Sequence, residues 1–259
     1  MPADNIRALE KARGLDVDSL ILDLEDAVAP EEKARARQAA CAAAPGFRPR
    51  EVVIRINRPD ADYCSADLAA VAAARPDAIL LPKVHNGADI ARVRGAAAGI
   101  PLWAMIESPA AVMNLQEIAS AGVACLVLGA NDLIKEMGGR HRADRANLAP
   151  VMSQMVLAAR AHGIAVLDGV HNRLDDEAGF RAACEMARDF GFDGKTLIHP
   201  AQIAPSHAAF VPSQDEVEAA RRVLKAFADN PDKGAILLDG QMVERLHAEI
   251  AERVIARAP

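Results

Sequence analysis

Residues 77–85 read DAILLPKVH, an apolar run of strand length that ends in a lysine and a histidine. The run is apolar at consecutive rather than alternating positions, which is typical of a strand buried on both faces of a parallel sheet. Ala-rich segments with helical periodicity flank it at residues 62–74 and 87–98. The stretch therefore predicts one strand of a parallel sheet that is covered by helices.

The same unit of an apolar run and a helical segment recurs along the chain. We predict seven strands in all, and the other six cover residues 19–24, 51–57, 101–106, 124–129, 164–169 and 194–199. Further helices between the strands are predicted at residues 31–44, 109–121, 146–162 and 176–190. An opening helix at residues 4–13 has no strand before it. We predict an α/β fold, a TIM (β/α)8 barrel whose first strand is missing or cut to a stub at Met1-Pro2. An open doubly wound sheet is the alternative, but it would favour a glycine-rich phosphate turn, and neither GxGxxG nor GxxxxGK[ST] occurs.

The repeat stops after residue 204. Residues 213–228, 235–238 and 241–257 predict a helix, a short strand and a final helix. We therefore expect residues 1–204 to form a barrel catalytic domain and residues 205–259 to form a C-terminal helical or lid extension.

The composition is that of a soluble globular protein: 51% of the 259 residues are hydrophobic, 25% are charged, and the net charge is −6. The acidic balance excludes a nucleic-acid partner that depends on a basic surface. No apolar run reaches the ~18–20 residues of a membrane helix, and the charged start does not resemble a signal peptide. Four scattered cysteines without a CxxC pair are typical of a reducing compartment. We expect a cytoplasmic protein without nucleic-acid or membrane partners.

Charged or hydrogen-bonding residues follow almost every predicted strand. The carboxyl ends of parallel barrel strands meet at one rim, where barrel enzymes carry their active sites. The residues in these positions are Asp23, Glu25, Asp26, Arg55, Asn57, Lys83, His85, Glu107, Asp132, Asp168, His171, Lys195 and His199. Taken singly, Asp168 and Asn57 are interpreted as turn formers or helix caps. Together the residues exceed what turns require, and we expect an active site at this rim.

Glu107 and Asp132 form the candidate metal site. They follow neighbouring predicted strands, and no cluster of His or Cys accompanies them. Mg²⁺ favours one or two carboxylates, with water and substrate oxygens completing its octahedron. The alternative is that Glu107 pairs with Lys83 in a structural ion pair.

Arg55 is the candidate binder of an anionic substrate. Its guanidinium is always charged and can contact a carboxylate, or a developing enolate oxygen, through two N–H groups. The alternative is an ion pair with Glu25 or Asp26. Both roles are compatible, because such a pair would hold the guanidinium in place.

Two further basic features lie near the predicted rim. We expect Lys33, one turn into its helix, to pair with a rim acid. Residues 135–145, KEMGGRHRADR, are the densest basic stretch of the chain. They either grip a phosphate-bearing group, such as the nucleotide end of coenzyme A, or form a solvated loop with charges of both signs.

Several motifs occur in a fixed order: LILDLEDAV-x4-K-x-x-A-R, V-x-R-I-N, LLPKV, MIES, L-x-L-G-x-N-D-L and G-x-x-G-K-x-x-IHPxQI. Together they resemble the citrate lyase beta subunit-like family of the HpcH/HpaI aldolase superfamily, from about residue 8 to residue 254. The resemblance implies a Mg²⁺-dependent barrel enzyme, a homo-oligomer (trimer or hexamer), that cleaves or forms a C–C bond beside a CoA thioester. Citryl-CoA, malyl-CoA and citramalyl-CoA are typical substrates of this family.

The resemblance also implies roles for single residues. Glu107 and Asp132 match the metal ligands, and Arg55 matches the residue that binds substrate and steadies the enolate. Glu25 and Asp26 match an acidic pair that lines the metal site.

Two further residues complete the implied site. Lys83 matches a rim motif that we assign to substrate binding. In relatives, an Asp that follows G-x-M-[IV] reaches the site of a neighbouring subunit and protonates the enolate. This chain has Glu244 there, which is expected to be the catalytic acid; the alternative is an ordinary helix-surface residue.

Two alternative functions stay open. The protein could be a divalent-metal aldolase for free 2-keto-3-hydroxy acids, independent of coenzyme A. It could also be a non-catalytic acyl-CoA-binding subunit of a lyase complex, for which a missing first strand and a changed lid acid would be typical.

Overall fold

The structure is a computed structural model and describes residues 1–258. The strands are β1 (Ser19–Asp23), β2 (Glu51–Arg55), β3 (Ala78–Leu81), β4 (Leu102–Ile106), β5 (Cys125–Leu128), β6 (Ala165–Asp168), β7 (Gly194–Lys195), β8 (Ala235–Leu238) and β9 (Gln241–Glu244). The helices are α1 (Ile6–Ala12), α2 (Lys33–Ala43), α3 (Cys64–Ala74), α4 (Gly87–Arg94), α5 (Pro109–Met113), α6 (Leu115–Ser120), α7 (Ala130–Glu136), α8 (Ala149–His162), α9 (Glu177–Phe190), α10 (Ile203–Phe210), α11 (Gln214–Ala228) and α12 (Arg245–Ala256). Two compact units result, Met1–Ser206 and the residues from His207 onward.

The first unit is built on one parallel sheet. Its strands lie in chain order from β1 to β7, and every neighbouring pair is parallel. Parallel neighbours need crossover connections, and the helices between successive strands supply them. This arrangement confirms the predicted α/β barrel class, with seven regular strands.

Residues 1–3 pair with the other edge of β1. Pro2 forms a parallel bridge with Asp23. The Asp23 N–H donates to the Met1 carbonyl at 2.8 Å, and the Ala3 N–H donates to the Asp23 carbonyl at 3.0 Å. These contacts place residues 1–3 where the predicted stub of the first strand belongs.

The core of the first unit is made of small and branched apolar side chains. All four residues of β3 are fully buried. Leu80 packs in one cluster with Val53, Trp103 and Val127 from β2, β4 and β5. Truncating such a side chain to Ala lowers the free energy of unfolding by about 2–5 kcal/mol. These contacts therefore stabilise the packing of the four neighbouring strands.

The helices differ from the predictions at two places in this unit. The predicted helix at 109–121 is divided into α5 and α6 at Asn114, whose φ of −105° and ψ of 19° leave the helical region. The Asn114 amide donates to the His85 carbonyl at 3.0 Å, which holds the break. The short helix α7 has no side-chain cap at Gly129 and was not predicted.

The second unit contains an antiparallel hairpin of β8 and β9. The final helix predicted at 241–257 is therefore wrong in its first turn, because residues 241–244 form β9 and α12 begins at Arg245. Asp239 and Gly240 both have positive φ, at 49° and 79°. These angles fit a two-residue type I′ turn, which joins the strands.

No helix within residues 1–258 combines the length and apolarity that crossing a bilayer requires.

Candidate active site

The structure brings six of the predicted site residues to one rim of the sheet. Each follows or ends a strand between β1 and β4, except Asp132, which lies in the first turn of α7, directly after β5. The six are Glu25, Asp26, Arg55, Lys83, Glu107 and Asp132. Their convergence follows from the parallel order of the strands.

Arg55 is held by a two-point ion pair with Asp23. Its Nε donates to Oδ1 and its Nη2 donates to Oδ2, both at 2.6 Å. Its Nη1 lies 3.2 Å from Oε2 of Glu25. The expected pairing with Glu25 is thus present, but the main partner is Asp23, while Asp26 contacts Lys83 instead.

The electrostatics of this pair keep both groups ionised. Burial alone would raise the pKa of Asp23, but hydrogen bonds from Arg55 and from the Glu25 N–H outweigh it and lower that pKa. Burial likewise opposes the charge of Arg55, and the facing carboxylates overcome it and raise the pKa of the guanidinium. The cation at position 55 is therefore fixed in place and in charge.

Glu25 has an altered protonation equilibrium at the rim. Burial raises its pKa to about 7, with Arg55 opposing the rise and Asp26 adding to it. Among the described residues, its buried Oε2 atom has no hydrogen-bond partner. A carboxyl group poised near neutral pH, whose buried Oε2 faces the Arg55 cation without a hydrogen bond from the described part of the chain, suits proton transfer.

Lys33 fixes the loop that carries Glu25. Its buried ammonium donates to the carbonyl oxygens of Leu24 at 2.8 Å and of Glu25 at 2.7 Å. The expected pairing of Lys33 with a rim acid is therefore replaced by bonds to the backbone. The reason is local, because β1 ends at Asp23 and leaves these two carbonyls outside the sheet ladder.

Lys83 joins three carboxylates. Its ammonium hydrogen-bonds Asp132 and lies 3.4 Å from Asp26 Oδ2 and 3.7 Å from Glu107 Oε2. Its backbone N–H donates to Glu107 Oε1 at 2.6 Å. Burial opposes the charge, but the carboxylates raise the pKa of Lys83. The Glu107–Lys83 ion pair, the alternative to the metal site, is thus present, and the same ammonium also contacts Asp132.

Glu107 approaches closely because residue 129 is a glycine. A Cβ at Gly129 would lie 2.3 Å from Glu107 Cβ and 2.7 Å from Glu107 Oε2. Glu107 is 2% exposed, and burial raises its pKa, with Lys83 opposing. Gly129, the glycine of the LGAND segment, therefore leaves room for the buried carboxylate of Glu107 beside the end of β5.

The oxygen donors at this rim fit a divalent cation. Glu107 and Asp132 both contact the ammonium of Lys83, so one oxygen of each carboxylate lies within 4 Å of the same cationic nitrogen. Within residues 1–258, no set of three or more His, Cys, Asp or Glu converges as metal ligands. A cation here would take two carboxylates and complete its shell with water and substrate oxygens, which is the habit of Mg²⁺.

Asp168 and Asn57 are not turn formers or helix caps. Asp168 is fully buried and accepts from Arg145 Nη1 at 2.9 Å, from Arg145 Nη2 at 2.5 Å and from Lys195 at 2.5 Å. Burial would raise the pKa of Asp168, and the two cations outweigh it and lower that pKa. Asn57 donates to Asp67 Oδ2 at 2.7 Å. Both predictions failed because the partners lie far apart in sequence.

The basic stretch 135–145 divides into two parts. Arg142 is exposed and pairs with Asp144 at 2.6 Å, as the alternative of a solvated loop with charges of both signs predicts. Arg145, at the end of the stretch, points inward to Asp168 instead. Its role was not predicted, because the sequence does not distinguish Arg145 from the other basic residues of this loop.

Glu244 belongs to the second unit, where it is the N-cap of α12. Its N–H donates to His247 Nδ1 at 2.9 Å, and its side chain accepts from the His247 backbone N–H. Within this unit Glu244 therefore caps the start of α12. Its role as catalytic acid stays a prediction.

Comparisons with known proteins agree with this geometry. The family model of HpcH/HpaI aldolase/citrate lyase matches residues 1–200. The chain is 45% identical over 263 residues to a (3S)-malyl-CoA thioesterase of Cereibacter sphaeroides, across 100% of this chain and 92% of that protein. It is 33% identical over 275 residues to the citrate lyase subunit beta of Escherichia coli, across 100% and 91%. The structure of the protein CitE from Mycobacterium tuberculosis in complex with magnesium, acetoacetate and coenzyme A matches with a TM-score of 0.84 and 33% identity, across 100% and 96%. This chain therefore belongs to the HpcH/HpaI aldolase/citrate lyase family.

Proposed function

We propose that the protein is a Mg²⁺-dependent carbon–carbon lyase that cleaves or forms a β-hydroxyacyl-CoA. The observation that carries the proposal is the convergence of a fixed cation, Arg55, with two buried or half-buried carboxylates, Glu107 and Asp132, at one rim. Malyl-CoA is the preferred candidate among citryl-CoA, malyl-CoA and citramalyl-CoA, because the relatives that are 45% identical are named for it.

Glu107 and Asp132 would hold the metal ion, with Asp26 and Glu25 near enough to act through water. Bound Mg²⁺ would act as a Lewis acid on the substrate's oxygens, which would favour loss of the hydroxyl proton and hold the substrate for cleavage. A magnesium-bound relative supports this assignment.

In retro-Claisen cleavage the hydroxyl loses its proton, the neighbouring C–C bond breaks, and its electron pair moves into the thioester as an enolate. Glu25, with its pKa of about 7 and an Oε2 that accepts no hydrogen bond from the described residues, is suited to take the hydroxyl proton. Arg55 places positive charge where the enolate oxygen develops, and Lys83 adds a second cation beside the substrate. Glu244, from the lid of a neighbouring subunit, then protonates the enolate carbon.

Thioester hydrolysis is the second candidate, because the 45% identical relatives are named (3S)-malyl-CoA thioesterase. Water would attack the thioester carbonyl, Glu25 would take the water proton, and the coenzyme A thiolate would leave. Arg55 would then stabilise the carbonyl oxyanion of the tetrahedral intermediate, so the same residues serve both reactions.

One assay separates the candidates. The protein is incubated with malyl-CoA, citramalyl-CoA, citryl-CoA or a free 2-keto-3-hydroxy acid, with Mg²⁺ or with EDTA, and keto acid, acyl-CoA and thiol are measured together. Mg²⁺-dependent release of glyoxylate and acetyl-CoA from malyl-CoA supports the lyase. Malate and coenzyme A thiol without glyoxylate support the thioesterase. Turnover of a free 2-keto-3-hydroxy acid alone would favour the aldolase, and acyl-CoA binding without turnover would favour a non-catalytic subunit.

We propose further that the protein is a cytoplasmic homo-oligomer, a trimer or hexamer. All four cysteines are thiols, which fits a reducing compartment. A role for Glu244 across a subunit boundary requires more than one copy. Sedimentation equilibrium of the purified chain tests the assembly, and a monomer with full activity would contradict it.

A further inference from the structure

The last residue of β6 and the loop after it, residues 168–172, lie against the backbone that leads into Asp132. We call these residues the β6 turn. A Cβ at Gly169 would stand 2.5 Å from the Leu128 carbonyl oxygen and 3.3 Å from the Ala130 nitrogen. The glycine thus lets the β6 turn touch the end of β5 and the start of α7 directly.

The β6 turn also bonds to the residue just before Asp132. Asn172 Nδ2 donates to Asn131 Oδ1 at 2.7 Å, and Asn131 Nδ2 donates to Asn172 Oδ1 at 3.3 Å. Each amide is both donor and acceptor, so the pair fixes the orientation of both side chains. The first turn of α7 is therefore held at its backbone and at its side chain.

The β6 turn is itself anchored to the neighbouring strand. The Lys195 ammonium, on a side chain 1% exposed, donates to Asp168 Oδ2 and to the Gly169 carbonyl. Asp168 also accepts twice from Arg145, which closes the loop that follows α7. Both ends of the segment from α7 to Arg145 thus rest on the β6 turn.

We propose that the β6 turn is a positioning element for Asp132, and that Gly169 and Asn172 set the affinity of the site for Mg²⁺. The inference rests on the proposed function only in taking Asp132 as a metal ligand. Mg²⁺ demands near-ideal octahedral geometry, so a small displacement of one of two protein ligands weakens binding. Outer residues that orient ligands commonly contribute about 10–100-fold in metal affinity.

The test is calorimetric titration of Mg²⁺ alone into the full-length protein, paired with the melting temperature. Asn172→Ala is expected to weaken Mg²⁺ binding by about 10-fold, and Gly169→Ala by about 10–100-fold. In steady-state assays the KM for Mg²⁺ should rise more than kcat falls, because the reacting groups are untouched. If Gly169→Ala does not fold, Asn172→Ala carries the test, since it removes only an exposed amide pair.

Matched controls use positions away from the rim. Gly95→Ala adds a Cβ at a helical φ of −62° with no atom within 4 Å. Gln116→Ala removes an exposed amide that contacts His162 at 2.7 Å. Both controls should keep the wild-type Kd for Mg²⁺.

The outcomes distinguish this inference from the proposed function. One outcome is that Asp132→Ala abolishes Mg²⁺ binding while Asn172→Ala and Gly169→Ala keep the wild-type Kd. That result would support Asp132 as a metal ligand and would show that the positioning role is wrong. A lower melting temperature with an unchanged Kd would likewise overturn it. If Asp132→Ala itself binds Mg²⁺ normally, the proposed ligand set is wrong.

Discussion

The carboxylate of Asp23 accepts both the Nε and the Nη2 hydrogens of Arg55, each at 2.6 Å. It also accepts the backbone N–H of Glu25 at 2.9 Å, so one buried carboxylate orients the cation and the start of the acidic loop together. The remaining nitrogen of Arg55, Nη1, lies near Glu25 and Met105 rather than Asp23. The guanidinium thus uses Nε and Nη2 for its support, while Nη1 lies beside Glu25 at the site.

Arg55→Lys should therefore lower kcat by about 100-fold or more, because an ammonium cannot keep the two-point pair and also reach a developing enolate oxygen. Steady-state kinetics on the preferred acyl-CoA measures this effect. Arg58→Lys, at an exposed arginine that pairs with Asp60, is the matched control and should leave kcat unchanged. Retained kcat in Arg55→Lys would remove Arg55 from the mechanism.

Glu107→Ala and Asp132→Ala should each abolish Mg²⁺ dependence and reduce turnover to about 1% or less, since metal chelation supplies several kcal/mol of transition-state stabilisation. Circular dichroism should show a folded protein. Asp144→Ala, which removes an exposed carboxylate from the loop after α7, is the control and should keep the wild-type activity. Wild-type activity in either site variant would contradict the assignment.

Glu25 should make stability and activity depend on pH. Its pKa rises from an ordinary value near 4.5 to about 7, so between these values the folded protein binds more protons than the unfolded chain. Stability therefore falls as pH rises through this range, by an amount on the order of 1–3 kcal/mol.

Glu25→Gln should flatten this slope in urea unfolding at pH 5 and pH 7. The kcat/KM of the wild type should rise with pH around 7, as Glu25 ionises, and the variant should lack that rise. Glu31→Gln, at an exposed glutamate of the next turn, should leave both profiles unchanged. A wild-type pH profile in Glu25→Gln would exclude it as the base.

Glu244→Gln should separate proton donation from helix capping. The amide can still accept the His247 N–H, so the melting temperature should hold, while kcat should fall by about 100-fold because no acidic proton remains. His247→Ala perturbs the cap without removing the acid and is the control. Unchanged kcat in Glu244→Gln would leave residue 244 with a capping role only.

The barrel strands could be predicted because their sequences have no competing interpretation. Ile79 and Leu81 on one face and Leu80 on the other are all fully buried, so the strand is apolar at every position. Strand ends were harder to predict. The predicted last barrel strand runs to His199, yet β7 ends at Lys195, where β6 also ends opposite it at Asp168. The Thr196 N–H and hydroxyl both bond to the Asp168 carbonyl.

The rim could be predicted as a set of residues but not as a set of bonds. Strand ends identify Arg55, Glu107 and Asp132, because the end of a parallel strand fixes where a residue lies. Which carboxylate meets which cation depends on side-chain reach across the rim. Arg55 pairs with Asp23, which lies 32 residues away in sequence, and no local sequence pattern predicts this pair.

One missed element had a readable signal. The Asp239-Gly240 pair between two apolar runs is a type I′ hairpin sequence, and it would have placed β9 before the last helix. The short helix α7 offered no comparable signal, because no side chain caps its start at Gly129.

The backbone of Lys83 has a φ of 51°, a left-handed conformation that a residue with a Cβ adopts at a cost on the order of 1 kcal/mol. Glycine or asparagine at this position would relieve that cost and should yield a more heat-resistant protein. Either exchange would also discard the ammonium that meets Asp26, Glu107 and Asp132. An exchange at position 83 that raises the melting temperature should therefore lower activity. A redesign of this enzyme for higher stability should keep Lys83.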